Sequence, residues 1–354
     1  MTYPKLVVDS KIIGQNVDAL GELLKKRHVD LFYGVTKVFC GDPRVAQIYV
    51  DHGVEVLADS RVQNLKKLKD LPVPKLLLRL PQLSEIEDVV RYADMSLNSE
   101  LVTVKALNDA AKSLGITHKV ILMIDLGDLR EGLFLGEGFD EMVDAIMELE
   151  AIELTGLGVN LTCYGAIIPK RETLAQLVEF KERVKERHGL DLPIVSGGNS
   201  SSVYLLEDGD LPGITNLRLG ECLALGTESA YGKQMPGTSN EGWVLEAQVI
   251  EVKNKPSVPI GEVGKDAFGN VPTFEDRGVR RRAIIAIGKQ DVHPDSLVPF
   301  DDGILILGAS SDHMILDVTD AKEEVNVGDI LRFTMDYAGV LNLSTSEYVE
   351  KEVR

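Results

Sequence analysis

Residues 31–98 read LFYGVTKVFCGDPRVAQIYVDHGVEVLADSRVQNLKKLKDLPVPKLLLRLPQLSEIEDVVRYADMSLN. Four short apolar, β-rich runs recur in this stretch: LFYGV (31–35), VEVLA (54–58), KLLLRL (75–80) and DMSLN (94–98). The segments between them have helical character, clearest in SEIEDVVRYA, where Ile86, Val89 and Val90 fall at the i, i+3, i+4 spacing of one apolar helix face. Strands alternating with amphipathic helices specify βα units and a parallel sheet. Four further runs continue the pattern: KVILMID (119–125), LTGLGVNL (154–161), LPIVSG (192–197) and TNLRLG (215–220). Eight strands is the closing number of a (βα)8 barrel, so the predicted class is α/β with a TIM-like barrel.

Upstream of the first run, KIIGQNVDALGELLKKR (11–27), preceded by Asp9 and Ser10 as cap candidates, reads as a helix. Downstream the texture changes. YGKQMPGTSNEG (231–242) is turn-rich, and VLEAQVIEVK, RRAIIAIG, GILILG, HMILDVT and DILRFT read as short antiparallel strands with no comparable helices between them. The expected organisation is a barrel at 10–230 followed by a smaller antiparallel β domain at 231–354, to which residues 1–9 add a strand. A chain of 354 residues accommodates two such domains.

Composition narrows the function classes. A formal charge of −18 without a basic stripe repels a phosphate backbone, which argues against nucleic acid as a partner. No run approaches the ~20 apolar residues of a membrane helix, and the start MTYPKLVVDSKIIGQ lacks a secretory pattern, so a cytoplasmic location without membrane attachment is expected. Cys40, Cys163 and Cys222 are odd in number and far apart, pointing to reduced thiols and to no metal cluster.

In a (βα)8 barrel the reactive groups sit at the C-terminal ends of the strands. Lys37 ends the first run; it is either a strand-end lysine reaching solvent or a desolvated amine suited to forming a Schiff base with a carbonyl cofactor. VSGGNSSSVYLL follows the seventh run. Asn199, Ser200, Ser201 and Ser202 there make either a simple capped turn or an anion site, and loops seven and eight are the usual phosphate location in this fold. In NLRLGE, Arg218 points to the barrel mouth beside Gly220. MIDLGDLREG after the fifth run holds Asp125, Asp128, Arg130 and Glu131, a solvated charged loop or a site in which Arg130 clamps a substrate carboxylate or a cofactor oxygen.

At these residues the sequence resembles the alanine racemase family (fold type III), and within it the ornithine racemase branch. The likeness runs through GVTKVF, LADSRVQNLKKLKDL, SLNSE, IDLGDLREG, GVNLTCYGA, VSGGNSSS, NLRLGE, GASSDHMILDV and TSEYVEKE. The resemblance implies pyridoxal 5'-phosphate carried by Lys37. Asn199, Ser200, Ser201, Gly220 and Glu221 are then the phosphate-side contacts, joined by Tyr348, with Arg218 facing the pyridine nitrogen and Arg130 near the ring hydroxyl and the substrate. It also implies a homodimer with shared active sites. The expected reaction is interconversion of L- and D-ornithine, or a similar basic amino acid, by proton transfer on two faces. The alternatives are an alanine or broad-specificity racemase, a lyase or aldolase of D-amino acids, and a non-catalytic cofactor carrier.

Two departures from the family pattern bear on chemistry. The tyrosine that serves the second face in the family reads Lys289 here, in AIGKQDVHP. Lys289, Asp291, the Asp312–His313 pair and, further back, Tyr337 are the replacements to weigh, with Asp291 and His313 preferred because carboxylates and imidazoles titrate nearer working pH than lysine. The family's modified barrel lysine is replaced by Met123, leaving Glu131 or Asp128 to orient Arg130. Substrate contacts are expected from Arg130, Glu131, Ser311 and Asp312, and a distal ammonium would seek Asp128, Glu131 or Glu221.

Overall fold

The structure, a computed structural model, describes residues 2–354. By internal contacts the chain divides into two units, Ser10–Asn240 and Met1–Asp9 with Glu241–Arg354. Strand β1 (Lys5–Val8) belongs to the latter, and helix α1 (Ser10–Lys26) opens the former. In α1 the residues Ile13, Val17, Leu20 and Leu24 are buried, one stripe repeating every three to four positions. Lys25 and Lys26 sit in its last turn, where the helix dipole favours cations.

The first unit closes into a barrel of eight parallel strands: β2 (Leu31–Val35), β3 (Val56–Asp59), β4 (Lys75–Leu77), β5 (Met95–Asn98), β6 (His118–Asp125) with a two-residue strand β7 (Leu133–Phe134) beside it, β8 (Ile152–Gly158), β9 (Ile194–Asn199) and β10 (Asn216–Leu219). The pairing of β10 with β2 shuts the ring. Helices α2 (Pro43–Asp51), α3 (Val62–Lys67), α4 (Ile86–Tyr92), α5 (Leu101–Leu114), α6 (Phe139–Met147) and α7 (Arg171–His188) occupy the connections, a 3-10 segment (Ser200–Leu206) joins β9 to β10, and α8 (Glu221–Leu225) follows β10. Each of the eight expected runs holds a strand, shifted by a few residues; β4 stops at Leu77, short of Arg79, whose guanidinium turns to Glu85 at 2.8 Å.

Alternate residues of these strands fill the interior. Tyr33 and Val35, Val56 and Ala58, Met95 and Leu97, and Ile121 and Met123 form one buried cluster with Leu76 and Ile194. The expected face of α4, with Ile86, Val89 and Val90, packs on Leu77 of β4 and with Val62, Leu65 and Leu107 in a separate cluster outside the barrel. Toward the C-terminal strand ends the barrel holds the buried Arg218. Gly158 makes that possible: a Cβ there would lie 2.9 Å from Met123 Sδ and 3.6 Å from Arg218 Nη1, so the missing side chain leaves room for both.

The second unit is the expected antiparallel sheet, built from β11 (Trp243–Pro256), β12 (Val279–Ile285), β13 (Leu297–Pro299), β14 (Leu305–Ala309), β15 (Met314–Asp317) and β16 (Ile330–Met335), in the order β13-β16-β11-β12-β15-β14. β1 pairs antiparallel with β11 and parallel with β17 (Glu350–Val353). Helix α9 (Tyr337–Thr345), where no helix was expected, is capped by Asp336, whose carboxylate accepts from Gly339 N–H at 2.8 Å. Among the described residues, no helix is long and apolar enough to cross a membrane, and no group of three His, Cys, Asp or Glu is placed to hold a metal ion. All three cysteines are free thiols.

Candidate active site

Lys37 leaves the barrel two residues beyond β2 and opens a single 3-10 turn, Lys37–Phe39, which ends on Cys40 in the left-handed conformation. The backbone just before it is pinned. Thr36 is fully buried, its N–H bonds Ala58 O at 2.8 Å, and its Oγ1 donates to Asp59 Oδ2 at 2.6 Å. The half-buried Lys37 ammonium has no hydrogen-bond or ion-pair partner among the described residues. Asp59 is itself completely buried and accepts two more bonds on Oδ1, from Arg61 N–H at 2.9 Å and Asn64 Nδ2 at 3.0 Å.

Arg218 lies on β10, the strand hydrogen-bonded to β2. Its side chain is buried, with Nη1 donating to Ser196 Oγ at 2.6 Å and Nη2 to Val159 O at 2.8 Å. Nε is left without a protein partner among the described residues. Burial pushes this guanidinium down to about 10, still cationic at neutral pH, and Glu131 works against that drop.

Between the ends of β9 and β10, Ser200 Oγ accepts from Gly220 N–H at 3.2 Å and Cys222 N–H at 3.3 Å, so two backbone donors converge on one point. A Cβ on Gly220 would come within 3.2 Å of Val35 Cβ, which explains a glycine there. Asn199 is spent on structure. Its Oδ1 caps Ser201 N–H at 2.8 Å and its Nδ2 reaches Asn160 Oδ1 at 3.0 Å. The Ser201 hydroxyl is buried with no partner.

The loop after β6 sorts the carboxylates. Asp125 accepts from Gly127 and Leu129 N–H, and the buried Asp128 accepts from Tyr164 and Gly165 N–H at 3.2 and 3.0 Å. Asp128 is therefore not available to a distal ammonium or to Arg130, as the sequence reading allowed, because its lone pairs hold the following loop. Glu131 does orient Arg130, gripping Nε and Nη2 with both oxygens. That pairing also commits the carboxylate expected to meet a substrate ammonium. Glu221 takes a bond from Thr227 Oγ1 at 3.4 Å.

The second unit assembles its own cluster. The turn at 288–291 lies against the β14–β15 hairpin tip, with Lys289 N–H bonding Ser310 O at 2.9 Å and Gln290 N–H bonding Ser311 O at 3.1 Å. Asp291 is buried and accepts from Ser346 Oγ at 2.6 Å; Ser346 Oγ accepts in turn from Tyr348 N–H at 3.2 Å. AIGKQD, SSDH and TSEY thus meet. His313 is exposed at the hairpin tip with no side-chain partner among the described residues, whereas Asp312 accepts from Ser311 Oγ at 2.6 Å. Lys289 Nζ sits 4.4 Å above the Phe268 ring, and the Tyr348 ring is exposed.

Asp59, Ser196 and Cys163 escaped the sequence reading. Asp59 could have been flagged by the strand-end rule applied to VLADS. Ser196 and Cys163 are found only through their contacts, the first under Arg218 and the second beside Arg130 and Asn199, where Asn199 Nδ2 lies 3.4 Å from its sulfur.

This is the layout of a barrel enzyme with its chemistry held at the strand ends. The chain belongs to the alanine racemase family, whose N-terminal domain it matches over residues 8–227. Over 352 residues it is 52% identical to an ornithine racemase of Acetoanaerobium sticklandii, covering 99% of each chain. A lysine racemase of Thermotoga maritima is 41% identical over 354 residues, with 99% of this chain and 98% of that protein covered. The fold matches the crystal structure of alanine racemase from Bartonella henselae with covalently bound pyridoxal phosphate at a TM-score of 0.73, with 17% identity and all of both chains covered.

Proposed function

We propose that the protein is a pyridoxal-phosphate-dependent racemase interconverting the L and D forms of ornithine or a similar basic amino acid. The observation that carries this reading is the placement of an unpartnered lysine amine, Lys37, and a buried arginine with a free Nε, Arg218, at the ends of two adjacent hydrogen-bonded strands. The donor set suits the cofactor. Lys37 would take its aldehyde carbon, Arg218 Nε would face its ring nitrogen, and Ser200 with the N–H groups about Gly220 and Glu221 would hold its phosphate. The orphaned Ser201 hydroxyl is a further donor close by. When bound, pyridoxal phosphate supplies an electron sink that acidifies the α-carbon of the amino acid.

The protein's own residues do the rest. With the cofactor bound, the cationic Arg218 guanidinium would face the ring nitrogen and would favour its unprotonated form, which would limit side reactions. Arg130, braced by Glu131, clamps the substrate carboxylate. Lys37 moves the α-proton on one face. On the other face the acid/base is His313, the exposed and unpartnered imidazole of the SSDH tip, while Asp291 ties the TSEY segment, and with it Tyr348, to the cluster. Ser311 and Asp312 flank His313 and would meet the substrate. We infer a homodimer in which this cluster completes the partner subunit's barrel mouth. The two basic-amino-acid racemases among the relatives support the substrate class.

Chiral chromatography after incubation with L-ornithine, L-lysine and L-alanine tests the proposal. D-ornithine or D-lysine should accumulate at least about tenfold faster than D-alanine, a discrimination of ~1.4 kcal/mol. Turnover of alanine alone would refute the substrate class, and no turnover of any of them in protein reconstituted with cofactor would refute the reaction.

A further inference from the structure

Asp59 is a carboxylate with no assigned task, yet it is completely buried next to the reactive lysine. No arginine or lysine lies within ion-pair distance of it among the described residues. Its Oδ1 is held by Arg61 N–H and Asn64 Nδ2, and its Oδ2 by the Thr36 hydroxyl, one residue before Lys37. Thr36 is in turn bonded through its N–H to Ala58 O, so the ends of β2 and β3 are stapled twice at the point from which Lys37 projects.

We propose that Asp59 is a positioning residue for Lys37, fixing through Thr36 the turn that presents the amine and placing a buried carboxyl beside that turn. Burial raises the Asp59 carboxyl above the usual carboxylate range, and the three donors and the charge of Lys37 work against that rise. The other cations on the elements packed around it are engaged elsewhere or, for Arg61, exposed to solvent. Arg44 pairs with Asp42, Arg79 with Glu85, Lys67 donates to Cys40 O and Asn64 Oδ1, Lys75 donates to Leu71 O, Lys66 lies over the Tyr92 ring, and the Arg61 side chain is exposed. Among the groups that act on Asp59, Lys37 is a cation whose charge favours the ionised carboxyl.

The role rests on Lys37 being the cofactor-linked residue, and the test separates the two ideas. In the full-length protein without cofactor, selectively 13Cγ-labelled aspartate reports the Asp59 carboxyl directly. Replacing Lys37→Met removes that cation, so the Asp59 signal should titrate at least about half a pH unit higher than in wild type. An unchanged midpoint overturns the coupling. Independently, the rate at which Lys37 captures pyridoxal phosphate, read by borohydride reduction and peptide mass spectrometry, should fall about tenfold in Asp59→Asn and in Thr36→Val, and recover in Thr36→Ser. Wild-type capture rates in folded Asp59→Asn and Thr36→Val overturn the positioning role. Failure of the wild type itself to capture the cofactor at Lys37 would instead remove the functional reading, with the carboxyl titration still deciding whether Asp59 and Lys37 are coupled.

Discussion

Replacing Glu131→Ala isolates the contribution of the brace on Arg130. In the folded protein both carboxylate oxygens of Glu131 hold the guanidinium, and the carboxylate side chain is only 11% exposed against 40% for Arg130. A hydrogen bond to a charged group contributes about 1.5–3 kcal/mol. Because Arg130 is more than a third exposed, solvent screening discounts the pair to roughly 2 kcal/mol. If the brace serves to hold Arg130 against a substrate carboxylate, that amount reappears as a loss of about 30-fold in kcat/KM, carried mainly by KM. The assay is steady-state racemisation by polarimetry on Glu131→Ala, Arg130→Ala and the double variant, with thermal unfolding as a control for folding. A residue acting through another is non-additive with it, so the double variant should be within about threefold of Arg130→Ala alone. Additive losses in the double variant, or a Glu131→Ala enzyme within threefold of wild type, would refute the reasoning.

Three further outcomes follow from groups buried in the barrel. His118 is held by Ser96 Oγ at 2.8 Å and burial lowers it from 6.5 to about 4, so its neutral form is favoured on folding; stability is fully present above pH 6.5 and falls by on the order of 3 kcal/mol as pH drops toward 4. Urea unfolding of wild type and His118→Gln between pH 7 and 4.5 checks this, and the variant should show a shallower dependence over that window. Asp128→Ala strands the N–H groups of Tyr164 and Gly165, costing about 2 kcal/mol and loosening 162–166 in hydrogen exchange; unchanged protection there would contradict the role assigned to that carboxylate. Gly158→Ala forces a methyl to within 2.9 Å of Met123 Sδ and against Arg218, so the cofactor should bind about tenfold more weakly in a fluorescence titration while the secondary structure is retained.

The barrel was legible because its signal is local and repeated. Each strand is a short apolar run, and the interior side chains follow from the two-residue period once the strands are known, as in Tyr33 and Val35 or Ile121 and Met123. The strand-end rule then led to Lys37, Arg218 and the Ser200 turn without contact information. What escaped is what depends on partners distant in sequence. Nothing in MIDLGDLREG distinguishes Asp128, spent on the backbone at 164 and 165, from Glu131, spent on its neighbour Arg130. Asp59 reads as a strand-end polar residue until Thr36, 23 positions earlier, is seen to point at it. Helix α9 was missed because YAGVLNLST is short and its buried face, Gly339, Val340, Leu343 and Ser344, includes a glycine and a serine that blur the apolar stripe. His313 and Asp291 also differ in ways the sequence does not carry, the first being exposed and the second buried and bonded to Ser346.

The most direct test of the account is where the cofactor attaches. Purified protein reconstituted with pyridoxal phosphate should show a visible absorption band, and borohydride reduction followed by peptide mass spectrometry should place the pyridoxyl group on Lys37, with both signals absent in Lys37→Ala. A label on another lysine, or a wild-type spectrum without the band, would contradict the central claim.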